Sequence, residues 1–129
     1  MVNSAKKRIL LAEDDASMRR FVEVVLNQAD YDVSTAEDGL TAMTLIQENS
    51  FDLILVDAIM PNFSGFDVCR MIRADEKLNK TPIVILSGLA DQSSDTSAQL
   101  ANAFLLKDSN LKKNLIKTLQ IMIPQTIQT

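Results

Sequence analysis

Four consecutive aliphatic residues, Leu53-Ile54-Leu55-Val56, followed at once by the acid Asp57, place the tightest limit on how this chain can fold. An apolar run this short, with polar residues on both sides, suits a strand covered by protein on both faces, as in parallel sheets. Phe51 to Val56 is therefore read as the central strand. Comparable runs at Arg8 to Ala12, Tyr31 to Ala36, Ile83 to Leu86 and Ala103 to Leu106 supply four more strands. Stripes at helical spacing lie between and after them: Met18, Phe21, Val22 and Val25; then Leu40, Met43 and Ile46 behind a capping Asp38; then Phe66, Cys69 and Ile72; finally Leu111, Leu115, Leu119 and Met122. The polar stretch Asp91 to Gln99 has few apolar anchors and predicts only a weak, mobile fourth helix. Strands alternating with helices, joined by right-handed crossovers, imply a doubly wound α/β domain with a five-stranded parallel sheet, for which the order 2-1-3-4-5 is expected. The domain is expected over 7–123, with short tails at 1–6 and 124–129.

Composition removes several chemistries. The 129 residues contain no histidine, which excludes imidazole bases and most zinc or haem sites. Cys69 is the single cysteine, so no internal disulfide can form, and a cytoplasmic location is expected. Seventeen acids against thirteen bases give a net charge of -4, the wrong sign for a phosphate-binding surface, so no direct nucleic-acid contact is expected. No apolar run reaches the roughly 18 residues of a membrane span. The chemistry left is that of carboxylates, hydroxyls and amines.

In doubly wound sheets ligands bind beyond the carboxyl ends of the strands, where the strand order reverses. The residues at those ends are Glu13, Asp14 and Asp15 after the first strand, Asp57 after the third, Ser87 after the fourth and Lys107 after the fifth. If the order is 2-1-3-4-5, strands one and three are neighbours at the reversal, and Glu13, Asp14 and Asp57 converge. Unit charges about 4 Å apart repel by roughly 4 kcal/mol at an effective dielectric near 20, so such a cluster needs a cation or a shared proton. Oxygen ligands alone favour a hard divalent ion, and Mg²⁺ is the natural choice. Ser87 and Lys107 could bind phosphoryl oxygens.

The chain resembles the receiver domains of two-component response regulators, over Arg8 to about Ile123. The carrying residues are Ile9-Leu10-Leu11-Ala12-Glu13-Asp14-Asp15 with Met18-Arg19-Arg20, Phe51 to Asp57 with Met60-Pro61 and Gly65, Pro82 to Ser87, and Lys107. The resemblance implies a flavodoxin-like three-layer sandwich and a single-domain, chemotaxis-regulator-like protein without an output domain. It implies that Asp57 is the phosphoacceptor, taking its phosphoryl group from a partner histidine kinase or phosphotransfer protein. Glu13, Asp14, Asp57 and the Ile59 backbone carbonyl would hold Mg²⁺, with Asp15 outside the metal set. Ser87 would be the switch hydroxyl, Lys107 the counter-ion and Phe104 the aromatic that swings inward. The face of the fourth helix, fifth strand and last helix would meet an unknown protein target, beside Lys112, Lys113 and Lys117.

The chain also departs from the family pattern. Asp108 stands where the family usually has proline after the lysine, and is read as a cap of the last helix or as a competitor for Lys107. Gly88 replaces a typical alanine. Ile59 and Leu89, at positions that flank the path of the hydrolytic water, are bulky and apolar, which predicts slow self-dephosphorylation. The principal reading is a phosphorylation-controlled signalling switch, not an enzyme beyond its own phosphotransfer and slow hydrolysis. A pseudo-receiver that binds partners constitutively is the alternative. An aspartate phosphatase lacks its Asp-x-Asp after strand one, and a flavin-binding protein lacks its hydroxyl-rich phosphate loop.

Overall fold

The computed structural model describes residues 6–88 and 99–125. Five strands form one parallel sheet: β1 (Arg8–Ala12), β2 (Asp32–Ala36), β3 (Leu53–Asp57), β4 (Ile83–Ser87) and β5 (Ala103–Leu106), in the order β2-β1-β3-β4-β5. The described helices are α1 (Ala16–Gln28), α2 (Gly39–Glu48), α3 (Gly65–Ala74) and α4 (Leu111–Met122). The predicted helix at Asp91 to Gln99 lies, but for Gln99, outside the described residues, as does Leu89.

The alternation of side chains along a strand explains the two hydrophobic layers. Leu53 and Leu55 of β3 join Ile9, Leu11, Val84 and Leu86 beneath α1 and α4, where Val22, Val25, Leu26, Leu111, Leu115 and Leu119 complete the layer. Ile54 and Val56 point the other way, onto Met43 and Ile46 of α2 and Phe66, Cys69 and Ile72 of α3. All five β3 residues are buried. Each aliphatic side chain withdrawn from water contributes about 1.5–3 kcal/mol, so the central strand holds the sandwich together.

Two apolar residues assigned to helical stripes face water instead. Phe21 is 45% exposed and Leu40 is 51% exposed. The buried stripe of α1 runs through Val22, Val25 and Leu26, a shift that brings the narrower aliphatic side chains under the sheet. Met122 is only partly buried against the same layer.

Helix starts follow the local chemistry. Asp38 accepts the Thr41 amide hydrogen at 2.7 Å, as expected of a cap, and Ser64 with Asp67 forms a reciprocal capping box at α3. Asp108 does not cap α4: Asn110 occupies that position, and the Asp108 carboxylate accepts the Asn110 amide hydrogen at 2.9 Å one step earlier. At the other end Gln125, beyond the expected domain limit, donates from Nε2 to the Ala29 carbonyl at 3.4 Å.

Candidate phosphoacceptor and metal site

The register of the sheet builds the site. Ala12 pairs with Val56, so the residues following them, Glu13 and Asp57, emerge side by side at the carboxyl edge. Asp57 in turn pairs with Leu86, and Ser87 ends β4 one residue further on. The Ser87 carbonyl accepts the Lys107 amide hydrogen at 2.8 Å, which fixes Lys107 just past β5.

Carboxylate oxygens of Glu13, Asp14 and Asp57 all lie within 4.8 Å of one another. Glu13 is fully buried, Asp57 is 6% exposed and Asp14 is open to solvent. Lys107 enters the cluster from β5, with Nζ 2.6 Å from Glu13 Oε1 and 2.9 Å from Asp57 Oδ1. Two buried carboxylates therefore share one ammonium, with the Asp14 carboxylate beside them. Burial pushes Asp57 up to about 7, and the Glu13 charge adds to the rise, while Lys107 opposes it. Burial works against the charged Lys107, yet its contacts with Glu13 and Asp57 outweigh that cost and hold its pKa above the ordinary lysine value.

Glu13 supplies a direct test of fit for a cation. Its Oε2 accepts the Asp15 amide hydrogen at 3.1 Å, whereas the buried Oε1 has the Lys107 ammonium close by but no donor in hydrogen-bond geometry. Three carboxylates gathered around a single ammonium leave an excess of negative charge on oxygen ligands, which matches the oxygen-donor preference of Mg²⁺. The donor set fits the ion.

The neighbouring backbone is tightly constrained. A Cβ on Gly65 would overlap the Asp57 carbonyl oxygen, and the Gly65 amide donates to the Ala58 carbonyl at 3.0 Å. Glycine at the start of α3 is thus required for the helix to pack against the end of β3. Ile59, two residues beyond Asp57, is 59% exposed at the rim. Phe104 stacks on Phe66 with ring centroids 6.5 Å apart and packs against the α2–α3 layer. A Cβ on Gly88 would meet no described atom within 4 Å, so space does not demand glycine there. Asp108 is exposed, and among the described residues the ion pairs of Lys107 are with Glu13 and Asp57, not with Asp108.

Residues 9–120 match the model of the response regulator receiver domain. The chain belongs to that family. As a receiver domain it is similar in structure to the response regulator TrrA from Thermotoga maritima, solved in complex with Mg²⁺–BeF. That match has 28% identity and a TM-score of 0.85, covering 91% of this chain and 99% of the other. CheY4 of Vibrio cholerae, a chemotaxis response regulator, matches with 30% identity and a TM-score of 0.84, covering 92% and 100%. TrrA has also been solved in complex with the histidine kinase ThkA. Among curated sequences, the DNA-binding response regulator MtrA of Mycobacterium bovis is 37% identical over 90 residues, 70% of this chain and 38% of the relative. The receiver domain described here spans little more than a third of the length of such relatives. It is a signalling module of two-component systems, and none of its described helices is long and apolar enough to cross a membrane.

Glu13, Asp14, Asp57, Ser87 and Lys107 all stand at or just past strand ends, as their places in the sequence predict. The hold of Arg19 on the Glu13 carbonyl, at 2.9 Å from Nη1, has no signal in the sequence, where Arg19 is one more charge on the polar side of α1.

Proposed function

We propose that this receiver domain is a phosphorylation-controlled switch in which Asp57 accepts a phosphoryl group from a phosphohistidine of a partner kinase or phosphotransfer protein. The observation that carries the reading is the junction of Glu13, Asp14, Asp57 and Lys107 at the point where the sheet order reverses. An Asp57 carboxylate oxygen attacks phosphorus, the P–N bond breaks, and its electron pair returns to the imidazole nitrogen of the donor. The product is an acyl phosphate on Asp57, later cleaved by water attacking the same phosphorus.

Glu13, Asp14, Asp57 and the Ile59 carbonyl would hold Mg²⁺, which when bound supplies neutralising charge for the acids and the phosphoryl oxygens. Lys107, already 2.9 Å from Asp57, keeps that carboxylate available as a nucleophile and then pairs with the added phosphoryl charge. Ser87 donates its hydroxyl to a phosphoryl oxygen, and Phe104 follows that movement inward. Ile59, with Leu89, shields the acyl phosphate from water and slows its loss; Ile59→Asn should speed the decay. The complex of TrrA with ThkA supports a histidine kinase as the donor. MtrA is named as DNA-binding, but the surface of this domain has the sign that repels nucleic acid, so its target is taken to be a protein. A cytoplasmic site of action follows from a kinase partner and a reduced Cys69.

The test uses acetyl phosphate with and without Mg²⁺, followed by intact mass measurement, with Asp57→Asn as control. One phosphoryl group, lost in the variant and without metal, is the expected result. No adduct and no Mg²⁺ binding would instead make the domain a constitutive protein-binding module.

A further inference from the structure

We propose that Arg19 is a positioning residue for the acidic loop, setting where Glu13 and Asp14 present their carboxylates to a divalent cation. The inference rests on the metal-binding reading above and extends it to a residue on a different element. Glu13 is held at nearly every polar atom. Its amide donates to the Ala36 carbonyl at 3.0 Å, which ties it to β2, and its Oε2 accepts from the Asp15 amide at 3.1 Å. Its carbonyl accepts from Arg19 Nη1 at 2.9 Å, leaving only Oε1 for the cluster.

Arg19 is suited to this task. Its side chain is only 19% exposed, so the contact is shielded from competing water, and its Nη2 lies 3.6 Å from Glu37 Oε1 just past β2. One planar guanidinium thus spans the turn after β1 and the turn after β2, with its donors in a fixed fork. The peptide plane it grips joins Glu13 to Asp14, so tilting that plane moves both acids together. Arg19 also sits in the first turn of α1, whose start is fixed by the Asp15 carboxylate accepting from Met18 at 2.7 Å. Helix, turn and strand edge are locked to one another through the residue that carries the buried acid. Partners that orient metal ligands in this way typically change metal affinity about 10- to 100-fold when removed.

Calorimetric Mg²⁺ titration of the whole protein, wild type against Arg19→Ala, tests the assignment, with thermal melting of the metal-free proteins alongside. The dissociation constant should rise about tenfold, the low end of that range because the Ala36 and Asp15 contacts remain. Arg19→Lys, which keeps the charge but not the fork, should recover part of the affinity, and the labelling rate at saturating Mg²⁺ should fall by less than the affinity does. Should Arg19→Ala fail to fold, Arg19→Gln reads the same effect with a donor retained. A lower melting midpoint with an unchanged Mg²⁺ constant would show a merely structural role and overturn the proposal. Wild-type protein that binds no Mg²⁺ would overturn the underlying metal reading together with it, whereas wild-type binding matched by the variants overturns the Arg19 assignment alone.

Discussion

Each end of the sheet gathers one cationic residue and two acids, with opposite consequences. At the amino end, the Arg8 guanidinium lies 3.8 Å from Asp32, donates to the Ser50 carbonyl and sits 5.2 Å over the Phe51 ring, while the Arg8 amide donates to Asp52. Arg8 and Asp32 side chains are 39% and 59% exposed, so solvent screens their attraction. At the carboxyl end, Lys107 meets Glu13 and Asp57 with 15%, 0% and 8% of the side chains exposed. Similar charges there have been taken out of water, and Asp57 is shifted towards neutrality as a result. Burial, more than the number of charges, separates a strand-end fastening from a reactive site.

The sharpest way to break the comparison is Asp57→Asn. All Mg²⁺-dependent labelling by acetyl phosphate should disappear, while Asp32→Asn at the other end should leave it intact, as intact mass measurement would report. Next in size, Lys107→Ala removes the shared partner of two buried acids and should destabilise the metal-free protein by about 3 kcal/mol in urea unfolding. A loss no larger than that of Arg8→Ala would mean that burial does not distinguish the two ends.

The pH dependence follows from the raised Asp57 value. Its folded pKa, about 7, lies above the ordinary carboxylate value of 3.8, so the folded state binds more protons between them. The stability associated with this group is complete below pH 3.8 and is lost as pH rises through 7. In metal-free protein, the melting midpoint of Asp57→Asn relative to wild type should therefore climb from pH 5 to pH 8, and Mg²⁺ should raise the wild-type midpoint more at pH 8 than at pH 6. A flat difference across that range would remove the buried-acid account. The smallest effect belongs to Arg8→Ala, expected to cost about 0.5–1 kcal/mol and to shrink in high salt.

The doubly wound sheet was legible in the alternation of elements, and once the order β2-β1-β3-β4-β5 is given, the convergence of Glu13, Asp14 and Asp57 follows from their strand-end positions. What a linear reading cannot supply is the rotation of each helix and the reach of long side chains. Phe21 and Leu40 satisfy helical spacing yet face water, since the choice between neighbouring stripes depends on which fits the sheet. Asp108 is a natural cap by residue type, but the turn after β5 runs two residues longer and gives that place to Asn110. Arg19 becomes informative only when α1 is folded back over the turn that precedes it. Gly65 carries its meaning through a close approach to Asp57, a distance that no spacing rule contains.

The position of β3 has a further consequence for how a signal could leave the site. It pairs with β1 on one side and β4 on the other, and both of its faces are covered. Its backbone amides should be among the last in the molecule to exchange with deuterium, with opening free energies near that of global unfolding. β5 pairs with β4 along one edge, and three of its four residues are only partly buried, so its amides should exchange far sooner. Asp57 thus stands on the fully buried strand and Lys107 just beyond a partly buried one. If Asp57 accepts a phosphoryl group as proposed, the added charge should be felt first on the β5 side of the sheet, as faster or slower exchange of the β5 amides after phosphorylation.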